Sequence, residues 1–255
     1  MVQGVLIENG CIVDTNPATG EVISRVPCST PSEVQEMIQK AKKAQLEWSA
    51  KDAKERMSYL RQALKALAEK SDQLAALMVQ EMGKPKSEAL EEMEGATEKD
   101  DYMDILEKAQ EPQTFGTSIV VREALGVVVV LSPWNFPCDE ILLLALPALA
   151  AGNTVIVKPS EVVPETGGLT VTTLASALPP NTIQLAQGDG SVGELLVQNP
   201  DVNLVAMTGS SAVGRKVMAN AAPNLKRLVL ELGGKDPMVV FDDADLDKAA
   251  KDAVT

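Results

Sequence analysis

Gly126-Val127-Val128-Val129-Val130-Leu131 is an unbroken run of β-branched residues opened by a glycine. It is too short for a helix and has no polar face, which is the pattern of a strand buried on both sides of a parallel sheet. Toward the C-terminus the chain then alternates regularly. Strands are expected at 155–157, 182–185, 202–207 and 225–232, and helical patterns at 165–178, 192–198 and 212–221 separate them. The longest apolar run, 141–151, contains Pro147 and is too short to span a bilayer, so it reads as a core helix and gives no membrane segment. Repeated βα units of this spacing predict an α/β fold with a doubly wound parallel sheet of Rossmann type, whose ligands bind where the strands end.

Toward the N-terminus the pattern changes. Short alternating runs around Asn9-Gly10 and Thr19-Gly20 read as a β-hairpin. Ser29 and Thr30 are placed to cap a helix with Pro31 in its first turn. A second helix is expected from about Lys51, with Met57, Leu60, Leu64, Leu67, Leu74, Leu77 and Met78 on one stripe. A third, acidic helix runs to about Lys108, where Pro112 stops it, and 117–123 alternates as a strand. Residues 81–111 hold 11 acids against 4 bases, but apolar residues interleave with them, so the run reads as a solvated helical face.

Composition removes several kinds of chemistry. The net charge of -13 argues against nucleic acid, which needs basic patches to neutralise phosphates. The chain has no histidine, so Ser-His-Asp catalysis, Cys-His catalysis and histidine-ligated metal are all excluded, and no metal site is expected. Cys11, Cys28 and Cys138 form no CxxC pair, which signals neither zinc nor a disulfide framework and points to a reducing, cytoplasmic setting. No signal peptide is read at the N-terminus.

The candidate chemistry lies at the strand ends. Glu231 stands in Leu228-Val229-Leu230-Glu231-Leu232-Gly233-Gly234-Lys235. If the strand is buried, low dielectric raises the carboxyl toward the range of a general base. The same residue could equally face water from an edge strand or pair with Arg227 or Lys235. Ser132-Pro133-Trp134-Asn135-Phe136-Pro137 follows the Val-rich strand, and its prolines hold Asn135 in a rigid loop where an amide can donate to developing negative charge. Lys158-Pro159-Ser160-Glu161 follows the next strand, a cation and an acid that could address a phosphate or a ribose diol, or form a surface pair.

Two glycine patterns compete for a dinucleotide. Gly188-Asp189-Gly190-Ser191-Val192-Gly193 fits GxGxxG, but the required acid about 20 residues on is missing, since no Asp or Glu occurs from 202 to 230, and the segment reads as a turn. Gly209-Ser210-Ser211-Ala212-Val213-Gly214 opens a helix after a strand, where free N–H groups and the helix dipole favour an anion, although Ser210 or Ser211 also reads as an N-cap.

Taken together, the segments 133–137, 152–161, 208–214 and 230–235 resemble the NAD(P)-dependent aldehyde dehydrogenase superfamily in order and spacing. The resemblance implies that Asn135 supplies an oxyanion amide, that Lys158 and Glu161 contact the adenosine ribose, that Ser210 and its helix start hold the pyrophosphate, and that Glu231 activates water. It extends the cofactor-binding set to Ser132, Trp134, Ser160, Gly209, Gly214 and Leu232. NAD is the implied cofactor, with NADP the alternative, because a carboxylate at Glu161 would repel a 2′-phosphate. The implied reaction oxidises an aldehyde substrate to its acid through a cysteine thiohemiacetal and thioester. That cysteine would lie beyond Thr255, and Cys138 matches no nucleophile motif, so the chain is expected to be the cofactor-domain half, truncated before the catalytic domain and inactive alone. The expected division is 1–234 for the cofactor domain, with an oligomerisation strand near 112–125 serving a homo-oligomer, and 235–255 for the first strand and helix of a catalytic domain. The alternative is an inactive short form that binds nucleotide or partner subunits.

Overall fold

The computed structural model describes residues 5–254. Residues 1–4 and Thr255, the ends of the two expected terminal spans, lie outside the described residues. The chain opens with an antiparallel three-stranded sheet, β1 (Leu6–Glu8), β2 (Cys11–Thr15) and β3 (Val22–Pro27). Asn9 and Gly10 both take positive φ, 51° and 74°, as a two-residue hairpin turn requires. Thr30 caps α1 (Pro31–Ala50) by accepting from the Glu33 amide, while the Glu33 carboxylate accepts from the Thr30 amide at 2.7 Å.

The stripe expected on one helix from Lys51 occupies two, α2 (Ala53–Ala68), capped by Asp52, and α3 (Ser71–Met82). Met57, Leu60, Leu64, Leu67, Leu74 and Met78 all enter the same core, and Leu77 is half-buried. The turn at Glu69 and Lys70 lets both halves pack on α7 (Pro164–Ser176). The acidic helix is likewise two, α4 (Lys86–Thr97) and α5 (Asp100–Ala109), and the second starts where Asp100 and Asp101 complement the positive end of its dipole. The strand expected at 117–123 is one arm of an exposed ribbon, β4 (Gln113–Phe115) with β5 (Ser118–Val120).

The rest follows the βα expectation: β6 (Val127–Leu131), α6 (Asp139–Ala150), β7 (Thr154–Lys158), α7 (Pro164–Ser176), β8 (Ile183–Leu185), α8 (Gly190–Gln198), β9 (Val202–Gly209), α9 (Ser211–Ala221) and β10 (Arg227–Leu232). Its five strands are all parallel in the order β10-β9-β6-β7-β8, with the Val-rich β6 at the centre. Val128 and Val130 join the core that includes α2, α6 and α7, and Val127 and Val129 join the core that includes α1, α8 and α9. Each such valine removed from water contributes about 1.5–3 kcal/mol, which is why no polar residue interrupts the run.

At the C-terminal end one open reading is decided and one expectation is corrected. β10 is an edge strand paired only with β9, and Glu231 is exposed rather than buried. The strand expected from about Asp236 is not formed: no described strand lies alongside 236–241, so its backbone groups have no ladder to join. The last helix, α10 (Leu246–Asp252), is capped by Asp245 and buries none of its residues.

Candidate active-site cleft

From β6 the chain winds outward through β7 and β8 on one side, then returns to β9 and β10 on the other. The loops after β6 and β9 therefore part in opposite directions, and a crevice opens between them at the carboxyl ends of the strands. One part of it is a cleft of about 1080 Å³ lined by Trp134 and Asn135 after β6, Glu140 on α6, Gly209 at the end of β9 with Ser210 after it, and Glu231 and Leu232 at the end of β10. The adjoining groove, about 610 Å³, is lined by Ser132, Lys158 and Glu161, by Gly190 and Gly193 of α8, and by Lys216 of α9. Ser160, Met207, Thr208 and Val213 border both parts. Parallel register brings the two glycine-bearing ends together, with Glu231 opposite Thr208 and Leu232 opposite Gly209.

Sequence reasoning thus selected residues that the fold gathers in one crevice, but some of their surroundings differ. Glu231 reaches the cleft from the rim and is exposed, the edge-strand arrangement of its two readings. Asn135 is exposed, and among the described residues nothing takes its side-chain amide, which leaves that donor available to a ligand. Ser210 is the N-cap of α9, accepting from the Val213 amide at 3.3 Å. The cap and the anion-site readings are compatible, because one side-chain oxygen satisfies one amide and leaves others of the first turn without intrahelical partners. Gly214 does not line the cleft. A Cβ there would meet both Leu232 methyls at 2.8 Å, so its missing side chain is what lets α9 settle against β10 and leaves Leu232 in the cleft wall.

Lys158 is buried, and its Nζ donates to Glu161 Oε2 at 3.0 Å and to the Pro159 carbonyl at 2.9 Å. This is no ordinary surface pair: β7 delivers the cation to the groove floor and the following turn brings the carboxylate to it. Beside them, Ser132 Oγ is buried, borders the groove and has no hydrogen-bond partner. A ligand hydroxyl or phosphate oxygen would satisfy it, which fits a dinucleotide.

Two features escaped sequence reasoning. Gly190 and Gly193, read as belonging to a mere turn, line the groove. The segment does turn, with Asp189 accepting from the Ser191 amide at 2.9 Å to cap α8, but the helix it starts forms a wall. Glu140, whose Oε2 accepts from Thr208 Oγ1 at 2.7 Å, ties α6 to the end of β9, and no spacing rule signals that contact. Cys138 is fully buried, with its sulfur 3.1 Å from Thr170 Oγ1, and burial pushes its thiol far above the ordinary range. It is a structural thiol, as its lack of motif suggested. Among the described residues no group of three or more acidic or cysteine side chains is arranged to hold a metal ion. No described helix is long and apolar enough to cross a membrane.

The model of the aldehyde dehydrogenase family matches residues 7–255. A lactaldehyde dehydrogenase from Escherichia coli is similar at 38% identity with a TM-score of 0.90, over 96% of this chain and 53% of that one. A succinate-semialdehyde dehydrogenase from Burkholderia pseudomallei gives 37% identity and a TM-score of 0.90, over 96% of this chain and 52% of that one. An aldehyde dehydrogenase C mutant from Pseudomonas syringae, complexed with NAD+ and octanal, gives 31% and 0.90, over 97% and 52% respectively. The chain spans about half the length of these structures.

Proposed function

This chain belongs to the aldehyde dehydrogenase family, and from that premise we propose that it is the cofactor-binding half of an enzyme that oxidises an aldehyde to a carboxylic acid. The observation that carries the proposal is the crevice at the strand-order reversal, which collects an anion-binding helix start, a lysine–carboxylate pair, a free amide and a rim carboxylate. A bound nicotinamide dinucleotide would supply the hydride acceptor. Lys158, Ser160, Glu161 and Ser132 would hold its adenosine ribose side, and Gly209, Ser210 and the α9 start its phosphates, with Trp134 and Leu232 beside it. The Asn135 amide would donate to the negative charge that develops on the aldehyde oxygen. Glu231, at the rim and open to water, would take a proton from the water that releases the acid.

Among the described residues no cysteine lines the crevice. Cys138 is buried, Cys11 lies in β2, and Cys28 directly follows β3. This supports a chain that binds cofactor without turning over aldehyde. Residues 1–234 would form the cofactor domain and 235–255 the start of a catalytic one. The exposed ribbon near 112–125 would join subunits of a homo-oligomer. The acidic balance favours no nucleic-acid partner, and the unpaired cysteines are consistent with a cytoplasmic setting.

Calorimetry on the 255-residue protein tests the reading. NAD is expected to bind, and NADP roughly tenfold or more weakly, because Glu161 would face the added phosphate. Glu161→Gln should narrow that gap, and adding aldehyde to the NAD complex should produce no NADH absorbance. Absence of any dinucleotide binding would overturn the proposal.

A further inference from the structure

Lys84, in the turn between α3 and α4, and Glu92, on α4, form an ion pair whose side chains are only 7% and 1% exposed. Neither residue lines the cleft just described. Burying such a pair is costly unless its donors and acceptors are used, and here those not spent within the pair go to the Asn135 loop and to the start of the helix that follows it. Besides Glu92, Lys84 Nζ donates to the main-chain carbonyl of Asn135 at 2.9 Å, and it lies 4.1 Å from the centroid of the Phe136 ring. The other oxygen of Glu92 accepts from the amides of Cys138, at 3.0 Å, and Asp139, at 3.2 Å. These amides open α6, which has no side-chain cap from its own residues. A single ion pair therefore grips the segment at both ends, by a carbonyl before Phe136 and by two amides after Pro137, while the Asn135 side chain stays free.

We propose that Lys84 and Glu92 are positioning residues for the Asn135 amide, fixing the main chain of the 134–137 loop so that this donor points into the cleft at a set place. A donor aimed at developing charge is effective only when it needs no reorganisation, so a loop left to wander would lose most of its effect. The significance for catalysis rests on the reading of Asn135 as an oxyanion donor. The mechanical claim does not.

Nitrogen relaxation by NMR on the 255-residue protein separates the two. In the unsubstituted chain the backbone amides of Trp134, Asn135 and Phe136 are expected to be as rigid as β6, with order parameters of about 0.85. Lys84→Met and Glu92→Gln should each bring these three amides below about 0.6 and leave β6 and the body of α6 unchanged. Glu92→Gln keeps an acceptor for the α6 amides, so it removes the ion pair without removing the cap. A pair that merely stabilises the fold would lower the melting temperature and leave native-state relaxation untouched, and that result overturns the proposal. A mobile loop in the unsubstituted protein overturns it as well, so the test stands even if Lys84→Met does not fold. Asn135→Ala deletes the amide but keeps the carbonyl that Lys84 holds, and its loop should stay rigid. Failure of the oxyanion reading would instead appear as aldehyde turnover unaffected by Asn135→Ala in a form carrying the nucleophile.

Discussion

The least comfortable residues in the molecule lie outside the cleft. Asp14 on β2 and Glu81 on α3 are both buried, and Asp14 Oδ2 has no hydrogen-bond partner. Glu81 caps the start of α7 from a distance, accepting from the amides of Glu165 at 2.7 Å and Thr166 at 2.9 Å and from the Thr166 hydroxyl. Desolvation dominates in both carboxyls, lifting Glu81 to about 7 and Asp14 to about 6, with the charge of Glu165 adding to the rise at Asp14. Folded values above the ordinary 4.5 and 3.8 mean that the folded state holds these protons more tightly than the unfolded chain. Their contribution to stability is fully present below about pH 4 and is lost as the pH rises toward about 7. Urea denaturation should therefore find the pair's contribution smaller at pH 8 than at pH 5. Asp14→Asn should flatten that slope and stabilise the protein at pH 8 by roughly 1 kcal/mol, allowing for partial screening. A slope that Asn leaves unchanged would place the titration elsewhere.

At the scale of elements, the contact between α9 and β10 governs the cleft wall. Gly214 sits where a methyl group would press on Leu232, and the clash could be relieved only by moving that side chain or tilting the helix. Because the atoms met are the far end of a partly exposed side chain, Gly214→Ala is expected to change stability by less than about 1 kcal/mol, with alanine's better helix propensity offsetting the shift of Leu232. It should also weaken dinucleotide binding, because the α9 start and Leu232 would shift together. A gain in melting temperature with unchanged binding would show that the edge strand yields freely. These elements were legible in sequence to different degrees. The β6 run and the βα alternation could be read because burial on both faces excludes polar residues. The splitting of the long stripe and of the acidic helix could not, because the apolar period runs on across the turn at Glu69 and Lys70 and both halves pack on the same neighbour, α7.

At the scale of the whole molecule, apolar surface remains uncovered among the described residues, most continuously in two segments. Phe115, Ile119, Val120 and Val121 are exposed on and beside the β4–β5 ribbon, and Met238, Val239, Val240 and Phe241 are exposed after β10. Ribbon edges and apolar patches of this kind favour association. Light scattering is expected to show concentration-dependent oligomers, and Ile119→Lys should shift them toward monomer. A monodisperse monomer at all concentrations would remove the ribbon's proposed role.

By itself the amino-acid sequence determined the parallel sheet, the order of its units and which short segments border the crevice, because hydrophobic period and glycine placement are local and survive without coordinates. It also determined what is excluded, since a chain without histidine cannot use imidazole. Only the tertiary structure decided that Glu231 lies on an exposed edge strand, that Gly190 and Gly193 face the groove, and that Lys84 and Glu92 hold the Asn135 loop. Each of these depends on which elements end up side by side. Residues 51 positions apart, such as Lys84 and Asn135, meet only once the helices have closed over the sheet.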